Sequence, residues 1–178
     1  MDYKNYKFGY GEIIKYILIW GGISAVLAYF FYRSAIGAIV LFLFLPLFMK
    51  YERKKCQEKR AMKMRLEFKE MLRFLSTELQ TGESVENALF CVYREMKKMF
   101  GEKSEMVKEC EAIVRGIENN VVTEKLFMSL GVRSGIDEIY DFSEVFYSAN
   151  RSKGNLREII LDTTETINAK IEMKFQKK

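Results

Sequence analysis

Three observations predict an all-α protein, with an N-terminal transmembrane hairpin followed by a cytoplasmic bundle of six helices. Two apolar runs, residues 16–32 and 35–49, stand back to back with only Arg33 and Ser34 between them. From residue 66 onward apolar side chains recur at helical spacing, and no stretch alternates with the period of two that a half-buried strand requires. A dense basic segment joins the two parts and sets the side of the membrane on which the second lies.

In hydrocarbon every backbone N–H and C=O must be satisfied within its own segment, so about 20 apolar residues in a row are read as a spanning helix. After a short N-terminus, residues 1–12, the first helix is placed at residues 13–32 and the second, slightly short, at residues 35–51. The two-residue linker permits only an antiparallel hairpin, with Arg33 on the far face. Pro46 late in the second run is a kink that membrane helices tolerate. Tyr16, Trp20, Tyr29, Tyr32 and Tyr51 fall where amphipathic rings favour the headgroup layer. The competing readings are a hairpin buried in a soluble core and a cleaved signal peptide. A second apolar run, rather than a mature domain, follows the small-residue stretch at 35–38, which argues against the latter.

Lys and Arg are retained in the cytoplasm. Lys4, Lys7 and Lys15 precede the hairpin, and Lys50, Arg53, Lys54, Lys55, Lys59, Arg60, Lys63 and Arg65 follow it, so both ends are expected to be cytoplasmic. Residues 50–65 hold 8 basic and 2 acidic side chains, +6, whereas residues 66–178 hold 17 basic and 20 acidic, −3. A nucleic-acid binder carries its positive footprint on the folded domain, which here is slightly acidic, so no nucleic-acid partner is expected. The basic juxtamembrane helix, residues 52–65, fits an anionic lipid surface, where each Lys or Arg is worth about 1 kcal/mol. A solvated helix face is the alternative. With no Gly or Pro between residues 47 and 81, the second membrane helix can continue unbroken into the cytoplasm.

The chain contains no histidine. That removes Ser-His-Asp and Cys-His nucleophile pairs, imidazole zinc sites and a phosphoacceptor histidine. Nor does any stretch match the phosphate loop of Gly, four residues, Gly, Lys and Ser or Thr; the nearest, Gly131 to Gly135, runs into Ile136 and Asp137. No catalytic residue, metal site or cofactor is therefore assigned. Cys56, Cys91 and Cys110, an odd set without paired spacing, read as free thiols, the last two on apolar helix faces.

Phe68, Met71, Leu72, Leu75 and Leu79 form the first stripe of the cytoplasmic domain, residues 66–178, and Gly82 is its stop. Ser84 caps the second helix, which carries Val85, Ala88, Leu89, Val92, Met96 and Met99, with Glu86 against the helix dipole. A third spans about residues 104–118, with Met106, Cys110, Ile113, Val114 and Ile117 on one face. Thr123 opens a short fourth, with Leu126, Phe127 and Leu130, and Gly131 and Gly135 bound the loop after it. Ile139, Phe142, Val145, Phe146 and Ala149 stripe the fifth, which Gly154 ends. Asn155 with Glu158 is a capping-box start for the sixth, striped by Leu156, Ile159, Ile160, Thr163, Ile167, Ile171 and Phe175. Such stripes are core positions, and about 110 residues suffice for one bundle.

The stretch Gly82-Glu83-Ser84-Val85-Glu86-Asn87-Ala88-Leu89 resembles the Gly-x-Ser-x-x-x-Ala-Leu signature of the type II secretion F domain family. Gly154-Asn155-Leu156, entering a long amphipathic helix, resembles its second signature. Hairpin, basic helix and GspF-like domain in this order look like TadB-like proteins of the Flp (tight adherence) pilus machinery, over residues 13–178. The resemblance implies a multi-pass platform protein of the bacterial inner membrane. Such a protein couples a secretion ATPase to extraction of pilin or pseudopilin, beside a paralogous platform protein, with self-association left open. In the signatures Gly82 and Gly154 serve as helix stops, Ser84 and Asn155 as caps, and Ala88 with Leu89 and Leu156 as packing positions. Two departures stand out. Asn119 and Asn120 replace a common Gly, and the further membrane helices usual in the family are expected either beyond Lys178 or not at all. The alternative reading is a membrane-tethered signalling or scaffold protein, and a lipid-acting enzyme is more distant. Exposed loops at residues 102–105 and 133–138 are the surfaces expected to meet the ATPase.

Overall fold

Met64, Phe68, Met71, Leu72, Leu75 and Leu79 are each no more than 2% exposed, a spacing of three and four that only an α-helix places on one side. They belong to α1 (Ala35–Gln80), followed by α2 (Val85–Phe100), α3 (Glu105–Glu118), α4 (Thr123–Ser134), α5 (Asp137–Arg151) and α6 (Leu156–Gln176). The computed structural model describes residues 18, 19, 21, 22, 35–151 and 156–176, and the backbone alone of residues 35–50, 52, 53, 150, 151, 156 and 175. Among the described residues these are the helices of defined extent, and there is no strand.

The chain divides into two units, residues 5–60 and a unit built on residues 61–178. In the first, residues 18, 19, 21 and 22 are helical; the rest of the span predicted at 13–32 lies outside the described residues, as do residues 1–12. Of the span predicted at 35–51 the backbone is helical, and Tyr51 is exposed. Among the described residues no helix is long and apolar enough to cross a membrane.

In the second unit helix ends follow from local chemistry. Gly82 adopts φ +100° and its N–H donates to Leu79 O at 3.2 Å, closing α1. Ser84 Oγ accepts from Asn87 N at 3.3 Å, and Ser104 Oγ from Val107 N at 3.2 Å, so both serines satisfy free N–H groups at helix starts. At the end of α3 Asn120 takes φ +57°, while Asn120 N–H donates to Ile117 O and Val121 N–H to Gly116 O, both at 2.9 Å. This is a Schellman closure in which asparagine takes the left-handed position usually given to glycine.

The core is one apolar cluster fed by all six helices. At its centre Phe142 of α5 meets Phe68 of α1 and Phe127 of α4 edge-on, with centroids 5.7 and 5.5 Å apart. Phe146 packs on Phe127 at 4.7 Å.

Several expectations are corrected. Gly131 does not bound a loop: α4 continues through it to Ser134, and only Gly135, left-handed at φ +64°, ends the helix. A Cβ on Gly131 would stand 2.9 Å from Ser143 Oγ and 3.1 Å from Tyr140 Cα, so the residue permits close approach of α4 to α5. Thr123 opens α4 as expected, with Val122 at the cap position and no side-chain cap. Val145 is 38% exposed because the apolar side of α5 runs through Phe142, Phe146 and Ala149. On α6 the buried polar position is Thr164, while Thr163 is half-buried and donates to Ile159 O.

Candidate functional site

Three carboxylates lie in the apolar faces of their helices: Glu67, Glu109 and Glu138, each no more than 4% exposed. Burial disfavours the charged form unless cations and donors replace water. Glu138, in the first turn of α5, receives Arg65 Nε of α1 at 3.0 Å on one oxygen and lies 2.7 Å from Lys174 Nζ of α6 through the other. Desolvation pushes this carboxyl's pKa up. The hydrogen bonds from Lys174 and Arg65, with its own backbone, outweigh that and hold it below the usual value.

Glu109 of α3 is clamped by Arg133 of α4 in a two-point contact, Nη1 to Oε1 at 3.0 Å and Nη2 to Oε2 at 2.7 Å. Glu67 of α1 accepts from Ser104 Oγ at 2.9 Å, so the serine that caps α3 also ties it to α1. Lys63 lies 3.7 Å from the other oxygen. Further out, Lys69 of α1 pairs with Glu172 of α6 at 2.6 Å, and Lys170 of α6 with Asp141 of α5. These contacts withdraw Arg133 and Glu138 from the surface expected at residues 133–138. At residues 102–105, Ser104 is buried, and Glu102 is exposed and pairs with Lys97 at 2.8 Å.

The family-motif residues take structural positions. Gly82 is the turn, Ser84 the cap, and Ala88 and Leu89, 0% and 4% exposed, face the core. Leu156 opens α6, while Gly154 and Asn155 lie outside the described residues. In the basic segment Lys54, Lys55, Lys59, Arg60 and Lys63 are exposed, and Lys50 and Arg53 have side chains outside the described residues. Arg65 departs from this set: it is turned to Glu138 and only 21% of its side chain is exposed.

Beside the ionic contacts an open groove of about 740 Å³ runs between α1 and α6. Arg73, Ser76, Thr77 and Gln80 form one wall; Glu158, Asp162, Glu165 and Asn168 are among the residues of the other.

No reactive pair stands out chemically. Cys56 and Cys91 are half-buried free thiols. Burial, then the neighbouring Glu109 and Glu67 charges, push the Cys110 thiol up to about 12, which leaves it protonated and unreactive at neutral pH. Among the described residues no three His, Cys, Asp or Glu side chains are grouped for a metal ion. Two of the buried carboxylates had a signal in the sequence that the stripes obscured: each stands three or four residues from two apolar core positions, Glu67 from Met64 and Met71 and Glu109 from Met106 and Ile113. No family model matches the chain, and no curated protein or solved structure matches it either.

Proposed function

We propose that the chain is an inner-membrane platform subunit of a Tad- or type II secretion-like pilus-assembly or secretion machine. Its transmembrane hairpin, residues 13–32 and 35–51, anchors a cytoplasmic GspF-like domain that links a secretion ATPase to the extraction of pilin or pseudopilin. The observation that carries the reading is how the first signature folds. Gly82 turns the chain at positive φ, Ser84 starts α2, and Ala88 and Leu89 enter the core of an all-helical bundle. Four residue types placed in that order as stop, cap and packing positions suit a domain whose job is to hold a shape and present surfaces. The exposed lysines from Lys54 to Lys63 suit the anionic headgroups beside such an anchor.

Work in this machine is done by the partner, so the purified chain is expected to hydrolyse no nucleotide. Its contact with the ATPase is expected to be small, polar and transient, since a cycling motor must release its platform. The test is deletion of the gene in a cell that assembles the pilus, with crosslinking of the intact protein in the same cells. Loss of pili with pilin still produced, and recovery of a secretion ATPase in the crosslinked species, are the expected results. Normal piliation after deletion overturns the platform reading in favour of a membrane-tethered scaffold.

A further inference from the structure

The groove between α1 and α6 lies wholly inside the second unit, and its α6 wall carries a row of acceptors that no described residue answers. Asp162, Glu165 and Asn168 follow at i, i+3 and i+6, about 9 Å at 1.5 Å per residue. Asp162 and Glu165 are exposed and hold no ion pair among the described residues. Asn168 is half-buried, and its Oδ1 is closed off from solvent without a donor. One turn before it, Thr164 is 3% exposed, and its Oγ1 is likewise buried without a hydrogen-bond partner among the described residues. The row thus descends from carboxylates in water to neutral oxygens out of it. Glu172 and Glu158 of the same wall are already engaged, the first with Lys69 at 2.6 Å and the second in an interaction of its own.

The α1 wall does not supply the missing donors. Thr77 Oγ1 donates to Arg73 O at 3.0 Å, and Arg73 is turned back on its own helix, with Nε 2.7 Å from Glu70 Oε2. A buried acceptor left without a donor costs free energy, and the two free carboxylates favour a donor that is charged. A metal ion does not fit, because no three His, Cys, Asp or Glu side chains are grouped among the described residues. A slender chain of methylenes bearing ammonium groups does fit. Its nitrogens donate and do not accept, and its methylenes can lie along Leu161 and Ala169, as a lysine stem lies on apolar surface. The volume of about 740 Å³ falls within the range of small-molecule sites. A lysine on a partner helix brings one ammonium from outside the rim, whereas the row asks for several along one thin chain. We propose that the groove binds a linear aliphatic polyamine, with ammonium groups against Asp162 and Glu165 and one end reaching Asn168 Oδ1. This goes beyond the platform reading and does not rest on it.

The test is calorimetric titration of spermidine into the purified full chain in an uncharged detergent at low salt, where exposed charges are least screened. Saturable binding of one spermidine per chain is expected, and its absence overturns the proposal. Asp162→Asn with Glu165→Gln, both at exposed positions, should weaken binding at least tenfold without moving the unfolding midpoint. Ala169→Trp alters no charge but fills the groove, and should weaken binding by as much; undiminished affinity in that variant means attraction of a loose counterion and overturns the site. Glu86→Gln with Glu144→Gln, exposed carboxylates outside the groove, should change affinity less than twofold, and a loss equal to that of the groove variant refutes the assignment. Displacement of spermidine by magnesium at equal concentration of charge refutes it too. A lysine-bearing helical peptide that binds where spermidine does not would overturn it in favour of a protein-docking surface.

Discussion

Replacing Glu138 by glutamine isolates what a buried carboxylate does in this bundle. The side chain is 0% exposed and meets Arg65 at 3.0 Å and Lys174 at 2.7 Å, so the substitution removes two charge-assisted contacts and puts an amide donor against a cation. Each such contact contributes roughly 1.5–3 kcal/mol when fully desolvated. Arg65 and Lys174 keep 21% and 41% of their side chains in water, so the loss is discounted to about 2 kcal/mol in total. Urea unfolding of the full chain followed by circular dichroism should show a lower midpoint with unchanged slope. Glu95→Gln, at an exposed pair with Lys98, should shift stability by less than about 0.5 kcal/mol. The effect should also depend on pH. Because the folded carboxyl is held below its ordinary 4.5, its contribution is complete above that value and disappears as pH falls through the folded pKa. The acid limb of the stability curve should therefore be shallower in the variant. A shift no larger than the Glu95 control, or an acid limb unchanged, would refute the reasoning.

Gly131→Ala should destabilise by about 1–3 kcal/mol, because the new methyl meets the backbone of Tyr140. Gly116→Ala should cost less, since its close neighbours at 2.5 and 2.7 Å are the ends of the Leu126 side chain, which can turn away; unfolding midpoints in the reverse order would discard the packing argument. Ser84→Ala should cost about 1 kcal/mol through the lost cap, and no change in melting would dismiss the cap assignment. A thiol reagent near neutral pH should modify Cys56 and Cys91 in the native protein and Cys110 only on unfolding; a third thiol reacting at the native rate would contradict its burial.

The helix ends were legible because they are local chemistry. Gly82 and Ser84 announce a stop and a cap within four residues, and the structure uses them so, whereas the capping role of Ser104 and the left-handed Asn120 show only in the structure. Gly131 was not legible, because a glycine that ends a helix and one that admits a neighbouring helix look alike until Ser143 and Tyr140 are in place. Arg65 joined the basic run by composition, yet its partner Glu138 is 73 residues away, and no periodicity links them. The groove between α1 and α6 was invisible for the same reason, because residues 73–80 and 158–172 form its two walls.

The distribution of the buried carboxylates says what they add to an already adequate core. Leu, Met and Phe side chains attract without direction, and a slide of one helix past another by a turn, about 5.4 Å, would still bury apolar surface. The same slide would break Glu67 from Ser104, Glu109 from Arg133, and Glu138 from Arg65 and Lys174, leaving charge desolvated without a partner. Between them these contacts reach α1, α3, α4, α5 and α6, so a single register satisfies all of them together. The cost is desolvation, and the gain lies in uniqueness of packing more than in stability. On α6 the anchoring groups, Lys170, Glu172 and Lys174, sit at the C-terminal end. That placement holds α6 in register from its C-terminal end, where a slide by one turn would part Glu172 from Lys69 and Lys174 from Glu138.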